Sequence, residues 1–164
     1  MNFRQNKSII LFILGFGIFM FTRRSEILPS IQIAIVIAPV LILRFIRIQS
    51  TKKGIFLTLL GFLLSMNIAL WGLFTSKDAG AVLTFNILRS SLLAILYFLP
   101  YMIDRLVYPK LKKINFVPTL TFPIIVTAMF FLSSLEGPFD GGSAKGVFVY
   151  GPQIFKQIAS VTGM

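Results

Sequence analysis

The sequence predicts an all-α integral membrane protein: a bundle of about five transmembrane helices with a cytoplasmic N-terminus and an extracytoplasmic C-terminal tail. Three observations carry this. Of 164 residues, 56% are hydrophobic and only 13% charged. The apolar residues gather into long runs with no polar face to meet water, so lipid must cover them. The basic residues, which set a net charge of +11, fall in short clusters between those runs instead of lining one exposed face. That pattern argues for loop charges that set topology and attract anionic lipid headgroups, and against nucleic acid.

About 20 apolar residues cross ~30 Å of hydrocarbon as a helix, and five segments approach that length. The first, 8–22, is short and follows Arg4 and Lys7. A signal peptide is the competing reading. A retained anchor is preferred because the run ends in Arg23 and Arg24 with no small-x-small cleavage site after it. The second, 27–43, has Pro29 near its start and Pro39 inside it, which predicts a kink before "RFIR". The third, 54–74, is the clearest and places Trp71 where an interfacial aromatic belongs. The fourth, 79–103, contains Arg89 and ends near Pro100; the fifth, 114–135, contains Pro118 and Pro123. Residues 1–135 thus form the bundle, and 136–164 a Gly/aromatic arm.

Lys and Arg counted by alternate loops place ten residues on one side of the membrane and five on the other, with Arg89 left inside a span. The positive-inside rule then puts the N-terminus in the cytoplasm and everything after Leu135 outside, in an inner (cytoplasmic) membrane crossed several times.

The chain has no cysteine and no histidine. Thiolate and imidazole metal sites are therefore excluded, as are Ser-His-Asp and Cys-His catalysis, and no metal, cofactor or catalytic residue is assigned. None of the five carboxylates lies within an apolar run. Arg89 is the one ionisable residue deep in a span, where insertion scales charge it roughly 2.5–3.5 kcal/mol at the bilayer centre. Asn86, three residues earlier, shares its helical face. Asn67 of the third span is a candidate third partner in a lipid-headgroup or substrate site. The competing reading has Arg89 snorkelling to the outer interface.

Asp104 is unexpected at a positive-inside boundary, and a structural pair with Arg105, Arg44 or Arg47 is expected in preference to catalysis. "GGSAKG", 141–146, lacks the spacing of a phosphate-cradling loop. Glu136 and Asp140 read as loop charges, and "KGVFVYG" supports at most a short strand or interfacial segment. Phe139 and Tyr150 are candidate contacts of the arm.

"APVLILRFIR", "LPYMIDRLVYP", "TLTFPIIVTAMFFLSSLEGPFDGGS" and "YGPQIFKQIASVTGM" occur in this order over residues 34–164. This succession resembles the N-terminal membrane region of bacterial carbon–nitrogen hydrolase (nitrilase-like) proteins related to apolipoprotein N-acyltransferase, enzymes of lipoprotein biosynthesis. The resemblance implies a helical bundle and an arm leading into an extracytoplasmic nitrilase-like domain, downstream or separately encoded, that performs acyl transfer or amide hydrolysis with a Glu-Lys-Cys triad. None of that triad maps onto a position here, so the chain is expected to be a membrane-anchoring scaffold, inactive alone. Phe130, Phe131 and the Gly141–Gly142 pair stand where the family has Trp and acidic residues. The alternative is a non-enzymatic multi-span membrane protein, a transporter component or assembly factor.

Overall fold

The computed structural model describes residues 3–22, 28, 29, 31, 33–71, 78–114 and 116–135. Among these residues there are five α-helices and no strand. The helices are α1 (Phe3–Phe19), α2 (Ala34–Ile48), α3 (Thr51–Ala69), α4 (Ala79–Leu111) and α5 (Val117–Leu135), and a 3₁₀ turn, Met20–Thr22, follows α1. Two of them, α3 and α4, are long and apolar enough to cross a membrane. At ~1.5 Å per residue, α3 is ~28 Å long, α4 ~50 Å and α2 only ~22 Å. The chain divides into two units, one ending at Leu106 and the other starting at Val107.

In the first unit, α1 and α2 form an antiparallel hairpin whose register can be read from three pairs. The Gln49 amide donates to the Ser8 hydroxyl. The rings of Phe12 and Phe45 lie 5.2 Å apart. Gly15 faces Ile42 so closely that a Cβ there would meet Ile42 Cγ1 at 3.1 Å. The hairpin closes where the Ile31 amide donates to the Phe21 carbonyl at 2.8 Å, and this tie explains why α2 starts at Ala34 instead of the expected residue 27. Pro29 disfavours helix in the residue before it. At its other end α2 runs on through "RFIR" to Ile48, so Pro39 lies within the helix.

Only Gln49 and Ser50 separate α2 from α3, which returns antiparallel to α2 and packs on α1. Phe62, fully buried on α3, is the hub of this packing. Its ring meets those of Phe16 at 5.2 Å, Phe19 at 5.1 Å and Tyr101 at 5.1 Å. The first two are edge-on, the arrangement that the ring quadrupole favours. Gly61 makes room for this cluster, because a Cβ there would come within 2.5 Å of the Phe16 ring.

Helix α4 begins at an Asp78 cap, whose Oδ1 accepts from the amides of Gly80 at 2.9 Å and Ala81 at 3.2 Å. It continues through Pro100 to Leu111, past the expected end at residue 103. A single proline removes one backbone hydrogen bond, and Asp104 anchors the turn that follows. Its buried stripe is Asn86, Ser90, Leu93, Ala94, Phe98, Tyr101 and Asp104, at helical spacing.

Large apolar residues instead crowd the outer faces. Ile13 on α1, Val40 on α2, Leu92 on α4, and Phe56, Leu60, Leu64 and Ile68 along one ridge of α3 are all exposed. Small and polar residues lie inside: Ser8, Thr58, Ser65, Asn86 and Ser90 are buried. Ser65 satisfies its hydroxyl on the Gly61 carbonyl of its own helix at 2.7 Å.

In the second unit, the Lys112 amide closes the end of α4 on the Tyr108 carbonyl at 2.9 Å. Phe116 then adopts a left-handed backbone, φ 66°, and its carbonyl accepts from the Thr119 amide at 3.0 Å to start α5. That turn is why α5 begins at Val117 and not at the expected residue 114. The arm, 136–164, lies outside the described residues, and with it the strand or interfacial segment expected at "KGVFVYG".

Candidate functional site

At the end of the first unit where α2 turns into α3, polar side chains from α1, α2 and α4 form one hydrogen-bonded layer. Its centre is an ion pair between α2 and α4. Arg47 Nε donates to Asp104 Oδ2 at 2.9 Å and Nη2 donates to Oδ1 at 2.7 Å, a fork-on-fork pair. The Asp104 side chain is 0% exposed and that of Arg47 20%, so the carboxylate depends on Arg47 while the guanidinium keeps an edge to the outside. Of the three arginines considered for Asp104, the structure selects Arg47. Arg44 is exposed, being rotated about 60° around α2, and Arg105 points elsewhere from its place next in the chain.

Arg105 Nη2 donates to the Gln49 carbonyl at 2.5 Å. Gln49 is the C-cap residue of α2, so Arg105 places a cation where the partial negative charge of that helix collects. The Gln49 side chain extends the layer to α1 through the Ser8 hydroxyl. With the Arg47 charge offset by Asp104, Arg105 leaves the layer with a surplus positive charge. Exposed Lys7, Arg44, Lys52 and Lys53 lie on its outer side, on α1, α2 and the first turn of α3. Chemically the arrangement is suited to holding helices in register and to attracting anions.

The residues singled out from sequence are placed as follows. Asn86 is buried and Arg89, three positions on, is exposed. The Asn67 amide donates to the Leu63 carbonyl of its own helix at 2.8 Å. Phe139 and Tyr150 lie outside the described residues. Among the described residues, no group of three or more His, Cys, Asp or Glu side chains is placed to hold a metal ion. Sequence reasoning singled out Asp104 and its possible arginines but missed Ser8, Gln49 and Thr58. The available signal was that Ser8 and Gln49 both stand at span ends on the side the charge count makes cytoplasmic. Comparison of the chain with protein-family models, curated proteins and solved structures found no match.

Proposed function

We propose that this chain is a multi-pass module of a cytoplasmic membrane, with its N-terminus inside, whose helical bundle anchors and positions an extracytoplasmic partner domain. The observation that carries the reading is the inverted burial: Ile13, Val40, Phe56, Leu64 and Leu92 face outward while Thr58, Ser65, Ser90 and Asp104 face inward. Water would penalise such a surface, whereas hydrocarbon tails cover it at no cost.

With the Arg47–Asp104 layer taken as the inner boundary, ~30 Å of hydrocarbon corresponds to about 20 residues of α4 and ends near Leu83. Arg89 then lies roughly 8 Å below the outer boundary, within reach of its own side chain, and its exposure suits snorkelling to the headgroups. The surplus charge of Arg105 and its lysine neighbours suits the anionic headgroups of the inner leaflet. The scaffold role, with a nitrilase-like catalytic domain downstream or separately encoded, rests on the likeness of residues 34–164 to the membrane region of apolipoprotein N-acyltransferase relatives.

Fusions to a reporter enzyme that works only outside the cytoplasm test the topology. A fusion at Lys145 is expected to be active and one after Lys113 inactive; the reverse pattern sinks the proposed orientation. For the scaffold role, a neighbouring coding sequence with Glu, Lys and Cys in a nitrilase-like domain is the expected finding. A neighbouring sequence without one shifts the reading to a transporter component or assembly factor.

A further inference from the structure

Two polar atoms in the first unit are buried without a hydrogen-bond partner: Thr58 Oγ1 on α3 and Arg105 Nε on α4. Leaving either unmade forfeits the desolvation penalty of that group, so folded proteins rarely leave such atoms alone. Their positions are related. Helices α3 and α4 run antiparallel, and the rings of Phe62 and Tyr101 meet at 5.1 Å. Moving one helical turn toward the α2–α3 connection leads from Phe62 to Thr58 and from Tyr101 to Arg105, on the same faces. The two orphaned atoms thus stand at one level of facing helices, beside the Arg47–Asp104 pair, and are not bonded to each other.

We propose that Thr58 and Arg105 are joined by one internal water molecule, which ties α3 into the polar layer already linking α1, α2 and α4. The chemistry fits a small neutral molecule that both accepts and donates. Arg105 Nε–H can only donate, and a water accepts that bond while donating to the Thr58 oxygen. A phosphate or carboxylate does not suit the position, because Thr58 is 0% exposed and both atoms are closed to solvent. The Asp104 carboxylate on the adjacent residue already supplies the local negative charge. With the water in place the layer is continuous from Ser8 through Gln49 and Arg105 to Thr58, so all four helices are pinned at the same level. The inference stands apart from the membrane orientation and from any partner domain.

The test is a double-mutant cycle on the full chain in detergent micelles, with Thr58→Val, Thr58→Ser, Arg105→Lys and the Val/Lys double variant compared by thermal melting. Thr58→Val is expected to lower the midpoint by about 3 °C, Thr58→Ser to keep most of the wild-type value, and the double variant to melt no lower than Arg105→Lys alone. A dry, unpartnered hydroxyl behaves oppositely: Thr58→Val then raises the midpoint and the two effects add, which overturns the proposal. If Arg105→Lys does not fold, the sign of Thr58→Val against Thr58→Ser decides alone. Solid-state NMR with water-edited transfer supplies a second readout. Transfer from water to Thr58 and to Arg105 Nε is expected, and coupling without it would mean a direct bond and overturn the water.

Discussion

Breaking the Arg47–Asp104 pair should be among the most damaging single changes available in this chain, and replacing the pair whole should not. Asp104→Leu leaves the Arg47 guanidinium facing a closed apolar interior, its two hydrogen bonds of 2.9 and 2.7 Å gone. Stripping one partner from a fully buried pair costs about 3–5 kcal/mol. Arg47 keeps 20% of its side chain exposed and can recover part of its solvation, so the loss is put at about 3 kcal/mol. For a chain of this size that lowers the melting midpoint by about 9 °C. The double variant Arg47→Met with Asp104→Leu removes both desolvation terms and is expected to melt well above Asp104→Leu, near wild type. Thermal melting in micelles measures this, and the fluorescence of Trp71, the chain's single tryptophan, is a direct probe. Simple addition of the two single effects in the double variant would refute the buried-pair reasoning, because it would mean that neither charge feels the other.

Other consequences follow from local geometry. Gly61→Leu drives a side chain into the Phe16 ring, which a Cβ alone would approach to 2.5 Å, and should cost about 1–3 kcal/mol or more in the same melting assay. Asp78→Ala removes the acceptor for two amides at the start of α4 and should cost about 1 kcal/mol, read as faster hydrogen exchange at Gly80 and Ala81. Phe116→Gly should stabilise by a few tenths to about 1 kcal/mol, since φ is 66° and the side chain is 72% exposed, leaving little packing to lose; unchanged or lower stability in a chemical denaturation series counts against strain there.

Much of the helix content was legible because long apolar runs with basic flanks carry their own length and spacing. Boundaries were less so, and each shift has a cause. Helix α2 starts at Ala34 because the Ile31 amide is taken by the Phe21 carbonyl, a partner ten residues away in the chain. Helix α4 passes Pro100 because Asp104 is held from α2. Helix α5 starts late because Phe116 turns left-handed, a backbone state its residue type does not announce. In the polar layer, Asp104 stood out as an acid among bases, but Ser8 and Gln49 are ordinary residues whose importance comes only from facing each other.

By itself the sequence determined the kind of molecule: apolar runs, the lack of cysteine and histidine, and charge confined to the links between runs set a helical, lipid-suited chain without thiolate or imidazole chemistry. These are properties of composition and short-range order, which no packing can change. Which arginine Asp104 chooses, why Gly61 must be small and where Thr58 finds its counterpart were decided only by tertiary structure. Each depends on the relative register of two helices, and register is set by many contacts acting together. The Asp104 carboxylate has three arginines within reach on paper. Only the antiparallel hairpin of α1 and α2, with α4 laid against it at the level of Phe62, brings Arg47 to 2.7 Å and turns Arg105 toward the end of α2.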